Sequence, residues 1–419
     1  MKIALMTNNY KPIMGGVPIS IERLARGLED MGHQVTIFAP TYQEQQQEEN
    51  VFRYATCMKH FIGGIVLPNP FDRRIEKEFR KQEYDVIHVH HPMLIGRTAV
   101  YLSRKYHIPL VFTYHTRYEQ YLSYVGAVKL MENRASREKG IGVGACAGIL
   151  HLIKDKLMPA YLHTFLKYCD FVFAPTAGIQ EYLKQVCGLS PEKLGVLPTG
   201  IEKANFQVTD QEKRQVRESL GAEECPLFLT VSRMSHEKNV EFLIESLRLL
   251  KYSHGKDFRM AFVGDGPDRK TYEADCRKAG LEENVIFTGI VPNEEIPPYF
   301  AAADAFLFAS KTETQGIVIL EALAGASPVI AVKASGVSDL VTPKCGILTR
   351  EDPEAFAEST ADFIDRRMGR SGMEENALKT AQQYREEAVA FRAVHYYNKV
   401  IAGKAAHQET VSTRARLGQ

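Results

Sequence analysis

The stretch at 310–325, SKTETQGIVILEALAG, sets two carboxylates eight positions apart on either side of a glycine. An ionised carboxylate accepts two or more hydroxyl hydrogen bonds. Gly316 lets the backbone approach a ligand closely. Ile317, Leu320, Glu321 and Ala324 fall at helical spacing, so a helix is predicted to start near Gly316 with unpaired N–H groups and a positive dipole end. Anionic phosphate suits such a place. Glu313 in the turn and Glu321 in the helix could then hold the hydroxyls of two sugars, one on each side of a diphosphate. The competing reading is a pair of solvated surface glutamates.

Arg233 and Lys238 stand five apart in VSRMSHEKNVEFLI, after an apolar run and before a helical pattern. Arg offers a planar fork and Lys a mobile point charge, so the pair suits a phosphate clamp, and a leaving diphosphate needs such neutralisation where no metal supplies it. Two exposed cations are the other reading. No D-x-D occurs, so the usual metal–diphosphate motif is missing. His115 ends the apolar run 110–114 at the edge where open parallel sheets bind ligands. An ordinary surface histidine fits equally. His88, His90 and His91 do not form a metal set, because 88 and 90 share one face of a strand and 91 faces away. No residue stands out as a covalent nucleophile.

These groups need strands and helices to hold them. Short apolar runs at 2–7, 34–38, 85–90, 110–114, 171–175 and 194–198 suit buried parallel strands in the first half. In the second half they recur at 226–232, 285–288, 305–309 and 328–331, and 259–266 reads as a strand with a glycine turn. Helical patterns lie between them: one after Gly16 with Ile19, Leu24 and Leu28 inward, another with Val240, Leu243, Ile244, Leu247 and Leu250 on one face. The expectation is an α/β chain of two doubly wound Rossmann-like domains facing a cleft, one at 1–200 and one at 201–385. A closing helix at about 386–401 is followed by a frayed tail, 402–419.

With 419 residues, 45% apolar and 25% charged, the chain reads as a globular protein of two or three domains. Net charge is +1, but residues 1–200 carry 24 Lys+Arg against 18 Asp+Glu and residues 201–419 carry 28 against 33. The front half could be drawn to an anionic surface such as phospholipid headgroups. A basic segment at 129–167 reads either as a membrane contact or as solvated helices. Seven scattered cysteines without C-x-x-C suggest reduced thiols in the cytosol. The uncharged stretch 140–153 is too short to span a bilayer, and the N-terminal apolar run is too short for a signal peptide.

The strand-turn-helix at 305–325, the string VSRMSHEKNVEFLI and the Pro-Thr-Gly-Ile at 198–201 together resemble family 4 retaining glycosyltransferases. These are two-domain enzymes of the GT-B architecture that use nucleotide-sugar donors. The resemblance covers nearly the whole chain and is strongest at 228–345. It implies that Glu313 contacts the transferred sugar and Glu321 the ribose, with Arg233 and Lys238 on the diphosphate. It further implies that His115 lies near the sugar's C6 hydroxyl, that backbone N–H groups at Gly16 approach the diphosphate, and that the loop holding Val291 receives the base. Gln315, Gly316 and Ile317 complete the implied donor site, with His115, Glu313, Arg233 and Lys238 as its catalytic members. Thr314-Gln315 departs from the common Gly-Phe, which leaves the donor sugar open.

TYHTRYEQYLSYV at 113–125 and KTETQG at 311–316 look most like bacterial diacylglycerol glucosyltransferases. The implied reaction moves a hexose, glucose from UDP-glucose, to diacylglycerol or a related lipid with retention of configuration. A soluble acceptor or a GDP-mannose donor stays open. So do a nucleotide-sugar 2-epimerase and a non-catalytic nucleotide-binding subunit. No cofactor, essential metal or nucleic-acid partner is expected. The expected location is cytoplasmic, with peripheral contact at the inner membrane face.

Overall fold

The computed structural model describes residues 1–13, 15–58, 66–117, 156–365 and 367–417, with 367–371 and 407–417 as backbone only. The reading of 129–167 as a membrane contact lies mostly outside the described residues. The chain forms two compact units, Met1–Pro198 with Val389–Gln419, and Thr199–Ala388.

The first unit runs β1 (Lys2–Met6), α1 (Gly16–Asp30), β2 (Gln34–Pro40), β3 (Val51–Tyr54), β4 (Thr56–Met58), β5 (Leu67–Pro68), α2 (Arg73–Phe79), β6 (Val86–Val89), α3 (Ile95–Tyr106), β7 (Leu110–Thr113), α4 (Met158–Tyr168), β8 (Phe171–Ala174), α5 (Ala177–Cys187) and β9 (Leu194–Val196). Seven parallel strands lie in the order β3-β2-β1-β6-β7-β8-β9, with a separate β4–β5 antiparallel pair. Every residue of β6, β7 and β8 is buried, as expected for strands covered on both faces. On α1 the inward face carries Ile21, Leu24, Ala25 and Leu28, whereas Ile19 is only half-buried. The predicted face is therefore turned slightly, because Ile21 completes the 3.6-residue period with Leu24 and Leu28.

The second unit runs α6 (Asp210–Ser219), β10 (Leu227–Val231), α7 (Val240–Tyr252), β11 (Arg259–Val263), α8 (Arg269–Lys278), β12 (Val285–Gly289), α9 (Ile296–Ala302), β13 (Ala305–Phe308), α10 (Ile317–Ala324), β14 (Val329–Val332), β15 (Gly346–Thr349), α11 (Pro353–Asp365) and α12 (Arg367–Gln382). Its six strands are parallel in the order β12-β11-β10-β13-β14-β15. Val240, Leu243, Ile244, Leu247 and Leu250 of α7 are all buried against this sheet's core, matching the predicted face. In both sheets the winding reverses once, between β1 and β6 and between β10 and β13. Ligands of doubly wound sheets bind at the carboxyl ends of such strand pairs.

The last helix, α13 (Glu386–Leu417), differs from expectation. It runs through the segment read as a frayed tail from Ala402. That segment has no proline, and its four alanines favour the helix, which continues through Gly403. Lys404 also anchors it, donating to Asp170 at 2.8 Å and to the Ile108 carbonyl at 3.0 Å. Val389, Ala390, Ala393 and Tyr397 join the core of the first unit. A Cβ on Gly195 in β9 would lie 2.7 Å from the Tyr396 ring, so glycine is what lets α13 lie this close to the sheet.

Candidate active site

The carboxyl ends of β10 and β13 bring together residues that are far apart in the chain. After β10 the chain turns through Arg233 to Lys238, and after β13 through Ser310 to Gly316. The Lys238 ammonium donates to Glu313 Oε1 at 2.6 Å, and the Ser310 hydroxyl donates to the same oxygen at 2.9 Å. Burial would raise the Glu313 carboxyl above its ordinary value. The Lys238 charge and the hydrogen bonds from Lys238 and Ser310 outweigh burial, and the carboxyl titrates below the ordinary range. Glu313 is therefore a carboxylate at neutral pH. Its second oxygen adds capacity for hydroxyl donors.

Arg233 is paired with Glu237, whose carboxylate also accepts from the Ser235 hydroxyl at 2.7 Å. Burial works to raise Glu237, but Ser235 and Arg233 hold it below the ordinary range. Each of these two cations thus rests on a carboxylate. A diphosphate approaching this edge would compete with those carboxylates for Arg233 and Lys238.

Backbone proximity shapes the turns. A Cβ on Gly264 would lie 2.1 Å from the Ser232 carbonyl oxygen, and one on Gly266 2.3 Å from that of Met234. Those glycines allow the turn after β11 to press on the Arg233 loop. The Met234 N–H donates to Asp265 O at 2.9 Å and the Asp268 N–H to Met234 O at 3.1 Å. A Cβ on Gly336 would lie 2.5 Å from the Glu313 carbonyl oxygen, so the 336–339 turn backs the Glu313 turn. Gly316 is left-handed at φ 72° and caps α10, placing the helix N-terminus beside Glu313.

Gln315, expected in the donor site, lies between Glu313 and Gly316. Its side chain is buried and accepts from the Thr199 N–H at 2.8 Å, so it pins the first residues of this unit and offers a ligand only backbone. Ile317 and Glu321 lie half-buried in the first turns of α10, and Ile317 packs on the core. Val291 is half-buried in the loop after β12 and also packs on the core, while its neighbour Ile290 is 80% exposed.

In the first unit, Gly16 is exposed at the start of α1, with Gly15 as the cap. His91 accepts from the Asn8 N–H at 3.1 Å and Asn8 Nδ2 donates to Met93 O at 2.9 Å, which ties the ends of β1 and β6 together. His88 bridges Tyr397 and Thr113, each at 2.6 Å. The His90 ring stacks on His88 with centroids 4.3 Å apart and meets His115 Nε2 through Nδ1 at 2.8 Å. Burial lowers His88 to about 3 and His91 to about 4. Burial, with the neighbouring histidines, also holds His90 and His115 well below the ordinary value. All four rings are therefore neutral at neutral pH. The histidine row is a hydrogen-bonded support that ends in His115. Among the described residues, no group of three or more His, Cys, Asp or Glu is placed to hold a metal.

Sequence reasoning missed Ser310, Glu237 and the supporting roles of Gly264, Gly266 and Gly336. For Ser310, the available signal was its place three residues before Glu313 at the end of an apolar strand.

The pattern described as "Glycosyltransferase Family 4" matches residues 14–205, and that of "Glycosyl transferases group 1" matches 212–380. An alpha-monoglucosyldiacylglycerol synthase of Streptococcus pneumoniae is 30% identical over 82% of this chain and 74% of its own length. The chain belongs to the family 4 glycosyltransferases. An alpha-monoglucosyldiacylglycerol synthase of Acholeplasma laidlawii is 29% identical over 79% of this chain and 80% of its own length. Among solved structures, a sucrose-phosphate synthase from Thermosynechococcus elongatus shares the fold, with TM-score 0.75, 19% identity, and 96% of this chain and 99% of that one covered. As in other family 4 glycosyltransferases of this GT-B architecture, both units are parallel α/β sheets, and the reaction class is glycosyl transfer.

Proposed function

We propose that this glycosyltransferase moves glucose from UDP-glucose to the free hydroxyl of a diacylglycerol. The observation that carries the donor half is the Lys238–Glu313–Ser310 cluster beside Arg233 and the α10 N-terminus, at the switch point of the second sheet. The acceptor half is supported by the two synthases above, whose names specify glucosyl transfer to diacylglycerol.

In this reading Arg233, Lys238 and the first N–H groups of α10 bind the diphosphate. They neutralise the charge that grows as the bond between glucose C1 and the phosphate oxygen breaks. These cations supply what a metal would otherwise supply, so transfer proceeds without one. Glu313 accepts hydrogen bonds from glucose hydroxyls, Glu321 from the ribose, and the loop at Val291 receives the base. The acceptor oxygen attacks C1 on the face the phosphate leaves, and its proton passes to the departing phosphate, so configuration is retained. Such an enzyme would work at the inner membrane face, where its acceptor resides.

The test is incubation with UDP-glucose, with and without phosphatidylcholine vesicles containing dioleoylglycerol, followed by mass analysis and assignment of the anomer. The expected result is lipid-dependent UDP release with α-glucosyldiacylglycerol, unaffected by a chelator. A changed sugar without acceptor would mean epimerisation, and UDP binding without turnover a non-catalytic subunit. Either would overturn the proposal.

A further inference from the structure

Two cavities of the first unit run along the groove between α3 and α4 and share Arg97 and Tyr161 in their walls. The smaller, about 310 Å³, is otherwise lined by Met93, Leu94, Leu157 and Met158. It begins at the carboxyl ends of β1 and β6, because the Met93 carbonyl accepts from Asn8 and the Pro92 carbonyl from the Tyr161 hydroxyl at 2.8 Å. The larger, about 700 Å³, continues between Val100, Tyr101, Phe165 and Tyr168 toward the end of α3. Leu157, Tyr101 and Tyr168 are 55%, 49% and 42% exposed, so this groove carries apolar surface without a cover among the described residues.

The cations of the groove decide what it can hold. The Arg104 guanidinium lies over the Tyr168 ring at 4.3 Å, and Lys105 is paired with Glu76 at 2.6 Å. Both line the larger cavity with their charges already engaged. Arg97, where the cavities meet, is exposed, and its guanidinium has no ion pair or hydrogen bond among the described residues. The smaller cavity is apolar and the larger is mixed, with Thr164 and the tyrosine hydroxyls beside Val100 and Phe165, and a groove of this kind with one open donor fork suits a neutral molecule with long chains and carbonyl oxygens near their root. It suits a polyanion less well.

We propose that the groove between α3 and α4 holds the acyl chains of the acceptor lipid, with Arg97 donating to an ester carbonyl. The inference rests on the diacylglycerol reading above and adds where the chains lie. Chains seated there extend away from the switch point, which leaves the glycerol hydroxyl at the ligand edge of the sheet. Acceptor choice then follows from chain length, because each buried methylene adds favourable transfer free energy.

The test uses the full chain and photo-crosslinking with a diacylglycerol bearing a diazirine in its acyl chain, presented in phosphatidylcholine vesicles. Labelled peptides are expected from 93–105 and 157–168. In parallel, Arg97→Gln and Leu157→Glu are assayed against dihexanoyl- and dioleoylglycerol. Both are expected to raise KM for the long-chain acceptor about tenfold, the loss of one hydrogen bond from a charged donor or of a buried apolar contact. They should flatten the chain-length preference and leave UDP affinity unchanged. Labelling confined to other segments, or an unaltered chain-length preference in both variants, would overturn the assignment while the diacylglycerol reading stands. Labelling that needs added phosphatidylglycerol and vanishes in high salt would make the groove a headgroup site and overturn it too. Failure of the wild type to glucosylate any diacylglycerol would remove the underlying reading and this inference with it.

Discussion

Breaking the Lys238–Glu313 pair tests the donor half most directly. The two atoms are 2.6 Å apart, with side chains 24% and 19% exposed. Fully exposed pairs couple by about 0–1 kcal/mol, and removing one partner of a fully buried pair costs about 3–5 kcal/mol. This pair lies between those limits, so a coupling of about 2 kcal/mol is expected from the double-mutant cycle of Lys238→Met and Glu313→Gln. The chain has no tryptophan, so urea unfolding is best followed by far-UV circular dichroism. Each single variant should unfold at lower urea, and the double variant should lose less than the sum. The native Glu313 carboxyl titrates below its ordinary value of 4.5. Below that value the unfolded chain binds the proton first, so stability falls as pH falls. The coupling should be complete at neutral pH and vanish through the lowered native value. The same Lys238→Met change should weaken UDP binding about tenfold, the loss of one charge-assisted hydrogen bond. Additivity within about 0.5 kcal/mol at neutral pH would refute the coupling, and unchanged UDP affinity would refute the phosphate role of Lys238.

Glu313→Ala should abolish transfer while leaving the Kd for free UDP nearly intact, because the carboxylate is assigned to the sugar; normal turnover would contradict that role. Gly266→Ala forces a methyl group against the Met234 carbonyl and should cost about 2 kcal/mol of stability with weakened UDP binding, measured by urea unfolding and calorimetry. His88 and His91 titrate at about 3 and about 4 in the native protein against 6.5 when unfolded. The unfolded chain therefore binds more protons as pH falls below 6.5, and the first unit should lose about 2 kcal/mol per ring by about pH 5. A urea midpoint that does not fall between neutral pH and that value would contradict the buried, neutral assignment.

The strands and helices were legible in the sequence because each depends on a pattern within itself. The short apolar runs that became β6, β7, β8 and β13 are buried on both faces, and the α7 stripe keeps the helical period. Gly316 was legible as the point where the turn becomes a helix, whereas its left-handed backbone appears only in the structure. The types of group that follow β10 and β13, two cations and two carboxylates, were also legible in the stretches 233–238 and 313–321. Their partners were not. Glu313 and Lys238 are 75 positions apart, and only the placement of β10 beside β13 makes them neighbours. Gln315 sits between two predicted ligands, yet its amide turns to Thr199, 116 positions away, because its side chain is buried and the Thr199 N–H must be paired. His88 finds Tyr397 only when α13 folds back onto the first sheet. Local periodicity determined what each segment becomes. Strand order and the need to pair every buried polar group decided which side chains meet, and neither is written in the spacing of residues along one element.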